Sequence, residues 1–407
     1  MREQGMRHCF RPSKRLVAPR RPGWATVSFT VAALATVLAA CGDEGRSSDV
    51  GPNVVALTAT YPYGPGQEFG SKEGLLQPAS GANDIVHYFD PALCSNEIAT
   101  FLAVSVDSQG LYRTLFYDQE VEPSSWGHYG TKQFASRPAC AMREQGASGG
   151  RGFVLVGKGK DNILYASPGS WDPNMHDGTP NNPTADSAFA AVGTTVLKNW
   201  GSPGLATNGA VTQMALAYID DSGLVNVRLH ALPYVGHSWA NAIAAPAIGG
   251  GWTANGTPAI VWLPQTINMF QVVVRVDQRG TFSMMMTYFD AARSRFSGPT
   301  AGSQPSWTQL SVGSDSDPAL AYSPTLSTTT IYLRTGSQLE QTSGFGQALG
   351  TNLVHTILSG LNATYPSGAS PSALSLPFEN SNNLVITRTT ANQLWMTFSI
   401  QDQFLTP

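Results

Sequence analysis

The feature that most constrains this chain is a motif that recurs six times at a nearly fixed period. Each copy closes a β-rich run with a turn and then an aromatic or other residue. The copies are SVDSQGLY ending at Tyr112, KGKDNILY at Tyr165, IDDSGLV at Val225, VDQRGTF at Phe282, RTGSQLE at Glu340 and RTTANQLW at Trp395. The gaps between these residues are 53, 60, 57, 58 and 55. A repeat of that length means that each unit is one supersecondary module, which buries its apolar faces against its neighbours.

Two further markers keep step with the first. A proline followed by small or apolar residues precedes most copies, at Pro138, Pro203, Pro258, Pro318 and Pro371. On this reading only the first repeat, running through Cys94, lacks it. Proline suits the start of a strand, where its missing N–H leaves no ladder bond unmade. Fourteen residues after Tyr112, Val225 and Phe282 stand Trp126, Trp239 and Phe296.

Between the markers lie short runs rich in β-branched and aromatic residues: Phe153–Val156, Met214–Tyr218, Gln271–Val276, Thr330–Leu333 and Leu384–Thr387. Gly, Asn, Asp and Ser bound them, as expected for strands joined by tight turns. Asp161-Asn162 and Asp221-Ser-Gly223 supply residues that tolerate positive φ. No stretch after the leader keeps a helical period over twelve residues. The expectation is an all-β fold, a β-propeller of six blades with four antiparallel strands each. A seventh, degenerate blade within 54–93 and a β-sandwich are the alternatives. Asn53–Tyr61 is the candidate strand that pairs with the last blade and closes the ring.

KGKDNILY and RTTANQLW share the pattern basic–x–x–Asp/Ala–Asn–x–Leu–aromatic. With the proline strand before it and the tryptophan after it, this resembles the lectin-type β-propellers with tectonin-like and fucose-lectin-like repeats. The resemblance implies sugars in clefts between neighbouring blades, stacked on an aromatic ring and hydrogen-bonded to a basic side chain. The matching basic positions are Lys158, Arg275, Arg334 and Arg388, with Ser105 and Tyr218 in the first and third repeats. The matching aromatic positions are Tyr112, Tyr165, Phe282 and Trp395, with Val225 and Glu340 in the third and fifth. A pyranose has an apolar C–H face for a ring and a polar rim for planar donors. The other reading of the same residues is packing: aromatic side chains filling wedges between blades, and bases at strand ends.

The first 40 residues read as a leader. Seven basic residues, Arg2 through Arg21, precede the apolar run Trp24–Ala40. Leu38-Ala39-Ala40-Cys41 resembles the bacterial lipobox, which implies lipidation of Cys41. Residues 41–53 are Gly, Ser, Asp and Glu rich and read as a tether. The propeller then occupies 54–407. The lipobox resemblance also implies inner-membrane retention where an Asp directly follows the cysteine; here Gly42 stands there and Asp43 comes one place later, which favours the outer membrane of a bacterial envelope.

Cys94 and Cys140 remain as a pair in an oxidising compartment, where a disulfide is expected. Loss of the leader removes seven of 24 basic and one of 27 acidic residues, leaving 17 against 26, a net −9. No basic stripe survives, which argues against nucleic acid. The expected partner is a glycan, or alternatively an envelope protein, with the membrane touched through lipid alone.

Catalysis is not expected, and a glycosidase-like propeller enzyme is kept as the remaining alternative. A glycosidase needs two placed carboxylates. Asp107, Asp161, Asp220, Asp221 and Asp277 belong to the repeated turns, while Asp84, Asp90, Glu97, Asp118, Glu120 and Asp290 read as surface residues. Asp315-Ser-Asp317 reads as a solvated turn. The histidines lack ligand spacing, and no phosphate loop or nucleophile elbow is present, so neither metal nor cofactor is expected.

Overall fold

The computed structural model describes residues 73–75, 85–95, 101–117, 126–143, 152–170, 184–185, 188–198, 201–234, 236–264, 269–323, 327–343, 354–357, 365–366, 369–375 and 383–399. All of them lie in one compact unit, Pro52–Pro407. The expected leader, Cys41, the tether and the candidate strand Asn53–Tyr61 lie outside the described residues.

The first described strand, β1 (Glu73–Leu75), belongs to the last blade. Blade 1 follows, with β2 (Ala92–Ser95), β3 (Phe101–Val106), β4 (Tyr112–Tyr117) and β5 (Gly127–Tyr129). Blade 2 holds β6 (Ala139–Met142), β7 (Gly152–Lys158), β8 (Ile163–Ser170), the short β9 (Thr184–Ala185) and β10 (Ala190–Val196). Blade 3 holds β11 (Gly204–Thr207), β12 (Gln213–Ile219), β13 (Val225–Ala231) and β14 (Ile243–Ala244). Blade 4 is the longest, with β15 (Thr253–Leu263), β16 (Met269–Gln278), β17 (Thr281–Asp290), β18 (Arg295–Ser297) and β19 (Thr308–Gln309). Blade 5 holds β20 (Ala319–Ser323), β21 (Thr328–Thr335), β22 (Gln338–Ser343) and β23 (Val354–Ile357). Blade 6 holds β24 (Ser372–Ser375), β25 (Asn383–Arg388) and β26 (Leu394–Ser399). Every pairing is antiparallel within its own sheet.

The inner strands form a closed circle. β2 lies against β6, β6 against β11, β11 against β15, β15 against β20, β20 against β24, and β24 returns to β2. The fold is therefore a six-bladed β-propeller, and neither a seventh blade nor a sandwich is present among the described residues. Closure comes from β1, which pairs with the outer edge of β26 (Glu73 opposite Thr397, Leu75 opposite Trp395). The closing strand thus lies further along the chain than Asn53–Tyr61. It removes the open edge that an unclosed ring would expose.

The core is divided into six wedges, each between two neighbouring blades, because a sheet with both faces covered packs apolar residues on each side. The wedge between blades 1 and 2 holds Tyr112, Tyr129, Phe134 and Phe153. The wedge between blades 5 and 6 holds Tyr332, Tyr365 and Trp395. Trp126, Trp239 and Phe296 stand at or just before the fourth strands and fill the wedges between blades 6 and 1, 2 and 3, and 3 and 4. Their constant spacing reflects one repeated packing task.

The turn chemistry repeats as well. Gly110, Asn162, Gly223, Gly280, Gly336 and Asn392 each take a positive φ in the turn after the second strand of their blade. Only residues that tolerate the left-handed region fit there without strain.

Two sequence expectations need correction. The first repeat does carry the proline element: Pro91-Ala92-Leu93 leads into β2 as Pro318-Ala319-Leu320 leads into β20. The six final residues of the repeated motif are also not equivalent. Tyr112 pairs with Val106 and Val225 with Ile219, but the residues paired with Lys158 and Arg388 are Leu164 and Leu394. Tyr165 and Trp395 stand one residue further on and therefore face the opposite wedge, because side chains alternate along a strand.

Candidate functional site

The basic side chains at the ends of the second strands reach across to the segment that leads into the next blade. Lys158 is fully buried, and its Nζ donates to the Lys198 carbonyl at 3.0 Å. Arg275 Nε donates to Asp317 at 3.1 Å and its Nη1 to the Asp315 carbonyl at 2.7 Å. Arg334 donates to the Asp315 carboxylate, and its Nε to the Ala369 carbonyl at 3.3 Å. Arg388 Nε donates to Asp90 at 3.4 Å and its Nη1 to Asn392 at 2.7 Å. Asp90 also accepts the Ser370 N–H at 2.9 Å, so it joins blade 6 to blade 1. In this geometry the four bases act as braces between blades.

The aromatic partners divide. Phe282 is partly exposed, and the Arg275 guanidinium lies 5.3 Å from its ring centroid, so this pair is assembled as the sequence expects. Tyr165 is partly exposed; its hydroxyl donates to Asp161 at 2.5 Å, and Lys132 Nζ stands 3.3 Å from its ring centroid. Lys158 and Tyr165 fall in different wedges, as do Arg388 and Trp395. Trp395 is only 3% exposed, so its ring packs against protein. Arg334 has no aromatic neighbour at the matching position, where Glu340 stands.

Burial shifts the charges on this face. Lys158 falls from 10.5 to about 8, because its ammonium is removed from water. Between about pH 8 and 10.5 the folded chain therefore binds fewer protons here than the unfolded chain, and stability rises with pH across that window. Urea midpoints measured at a series of pH values are expected to show this rise in the wild type. Lys158→Met should flatten it; a variant that still climbs would remove Lys158 as the cause. For Asp90, burial raises its carboxyl, while Arg137, Arg388 and the Ser370 N–H pull it back, and the net shift is upward.

Several carboxylates are placed differently from the sequence reading. Asp90 and Asp317 are largely buried in ion pairs, and Asp290 is 2% exposed and pairs with Arg293. Asp315-Ser-Asp317 is no solvated turn: both carboxylates hold arginines. The signal for Asp90 was present in the shared Asp-Pro-Ala-Leu of residues 90–93 and 317–320. Among the described residues no cluster of metal-ligating side chains occurs. Cys94 and Cys140 form the expected disulfide, with Cα atoms 5.5 Å apart, and join inner strands β2 and β6.

The axial channel is the concave part of the molecule. A ring of six residues two places after each proline, Leu93, Cys140, Leu205, Ile260, Leu320 and Ala373, divides it into two chambers. The narrow chamber, about 90 Å³, lies toward the prolines. The wide chamber, about 410 Å³, opens at the other end, where Met142, Trp262 and Tyr322 supply large side chains. Trp262 is held edge-on by Phe270 at 4.8 Å between centroids. Around it stand Ser95, Thr207, Asn208 and Ser375. Each inner strand pairs on one side alone, so its other backbone edge faces the channel. Trp262 carries no sign of a site residue at the sequence level, because no repeat marker falls on it.

No protein-family model and no curated protein matches this chain. Among solved structures it is similar to a protein of unknown function from Dyadobacter fermentans, at 9% identity and a TM-score of 0.55, covering 81% of this chain and 98% of that one. It is similar to Trypanosoma rangeli sialidase in complex with the inhibitor DANA, at 10% identity and a TM-score of 0.52, covering 83% and 61%. It is also similar to the BP39L lectin of Burkholderia pseudomallei, at 18% identity and a TM-score of 0.48, covering 77% and 97%. At these identities the likeness is one of fold.

Proposed function

We propose that this chain is a carbohydrate-binding module, held at a bacterial envelope by lipid on Cys41, and that its sugar enters the wide axial chamber. The observation that carries the reading is the composition of that chamber. One partly exposed indole, Trp262, stands within about 410 Å³ among hydroxyl and amide side chains and backbone edges that pair with no further strand. That volume is within the range of small-molecule sites, roughly 300–1,000 Å³. An apolar plane with a polar surround matches the two faces of a pyranose. Ser375 Oγ has no hydrogen-bond partner among the described residues and lines the same chamber. The arginines that the sequence singled out have their donors engaged between blades, which moves the preferred site from the clefts to the axis.

The anchoring half rests on the sequence: a basic stretch, an apolar run and Leu38-Ala39-Ala40-Cys41. Two or more acyl chains hold a protein at a membrane durably, at about 0.8 kcal/mol per buried methylene. Asp43 standing one place beyond Gly42 supports the outer membrane.

A glycan array probed with the full chain in detergent tests the reading. A sugar should bind, and Trp262→Ala should weaken it by about tenfold or more, the scale of one lost stacking contact. Binding that survives Trp262→Ala but is lost in Arg275→Ala would return the site to the cleft between blades 4 and 5. An array without any bound sugar, together with one envelope protein that co-purifies, would replace the sugar reading by a scaffold. Release of product from a polysaccharide would make the chain an enzyme.

A further inference from the structure

The narrow chamber has a chemistry of its own. The residues before the six prolines are Asp90, Arg137, Ser202, Thr257, Asp317 and Ser370, and of these Arg137 and Thr257 line the chamber. Four guanidinium groups and three carboxylates belong to these residues or bond at or beside them. Arg388 pairs with Asp90, Arg275 with Asp317 and Arg334 with Asp315. Arg137 is the fourth guanidinium, and no carboxylate of the described residues lies within ion-pair distance of it. Asp90 feels its charge but is bonded to Arg388 and to Ser370.

Arg137 spans from blade 2 past blade 1. Its Nη2 donates to the Pro91 carbonyl at 3.4 Å and to the Pro371 carbonyl at 3.2 Å. Its Nε and Nη1 are buried and have no hydrogen-bond partner among the described residues. A buried guanidinium with unmade bonds is costly, and such a group calls for a partner from outside the chain. The chamber that Arg137 lines, about 90 Å³, exceeds the share of a single water, roughly 30 Å³. Small residues form much of the remaining wall, among them Ala92, Gly204 and Ala319, with the hydroxyl residues Thr257 and Ser372 beside them.

We infer that the narrow axial chamber binds a small monovalent anion, of halide or formate size, on the Arg137 guanidinium. Water would satisfy an N–H but leave the surplus positive charge. An anion supplies both the acceptor and the missing charge. The size of the chamber and the single guanidinium that lines it favour a small monovalent ion over a bulky polyvalent one. This site stands at the opposite end of the channel from Trp262 and does not depend on the sugar reading.

Bromide is the probe. Crystals of the full chain grown in sodium bromide should give an anomalous peak beside Arg137. Thermal unfolding of the full chain in detergent should rise by about 3 °C as bromide goes from about 10 mM to about 1 M, measured against gluconate at equal ionic strength. Arg137→Gln should abolish that rise. If Arg137→Gln does not fold, the anomalous map of the wild type decides alone. Density at Arg137 without anomalous signal, bromide bound only elsewhere, or equal unfolding curves in bromide and gluconate would each overturn the assignment.

Discussion

Reduction of the Cys94–Cys140 bridge is expected to lower the stability of the propeller by about 4 kcal/mol, the chain-entropy value for a loop of 46 residues. The bridge joins β2 to β6, the innermost strands of blades 1 and 2. Unbridged, those strands adjoin through β-edges that share no sheet, so the disulfide is the covalent brace of that boundary. Urea unfolding with and without reductant measures the effect. The Cys94→Ser, Cys140→Ala double variant should match the reduced wild type in either solution. A difference below about 1 kcal/mol would mean that packing in this wedge, around Tyr112 and Phe153, already holds the two blades as firmly as the bond does.

The second large effect is expected at Gly157. It lies on β7, opposite Tyr165, and faces the wedge between blades 1 and 2. A Cβ there would stand 1.6 Å from the Tyr112 hydroxyl oxygen and 2.8 Å from the Phe134 ring. Those two rings are stacked at 3.9 Å, and the Tyr112 hydroxyl donates to the Val156 carbonyl at 3.2 Å. Gly157→Val therefore has to expel one aromatic side chain, at a cost of more than about 3 kcal/mol. The cause is steric, which permits a clean check. Tyr112→Leu destabilises by itself but makes room, so the double variant Gly157→Val, Tyr112→Leu should lose clearly less than the sum of the two single losses. Strict additivity of the two would rule out the clash as the cause.

Much of this fold is legible in the sequence because the ring imposes the same local tasks six times. The left-handed turn position must be Gly or Asn, and Gly110, Asn162, Gly223 and Asn392 announce it without any knowledge of tertiary structure. The prolines before the inner strands are visible for the same reason. What is hidden is the register. KGKDNILY and SVDSQGLY end in the same residue type, yet Tyr112 is buried in the wedge and Tyr165 is partly exposed on the other face of its strand. The two turns are equally long, since Val106 pairs with Tyr112 and Lys158 with Leu164; the aromatic of the second copy stands one residue further along its strand, which exchanges the faces, and no composition signal marks it. The candidate site suffers more. Arg275 and Phe282 are brought together as their spacing suggests, but the Asp90 and Asp317 carboxylates that engage Arg388 and Arg275 come from the blade that follows. Trp262 and Arg137 gain their surroundings only when six inner strands meet, so neither carries a local mark.

The pairing of β1 with β26 has a consequence for how the chain is made. The earliest of the described strands to be synthesised, Glu73–Leu75, completes the sheet whose other members are the latest of them, and more than three hundred residues separate the two partners. While ribosomes still hold the later blades, the newborn protein must keep an unfinished rim. Pairings of such long range form slowly, and incomplete sheet edges attract other chains. The polypeptide therefore needs protection from its own kind until these two strands have met.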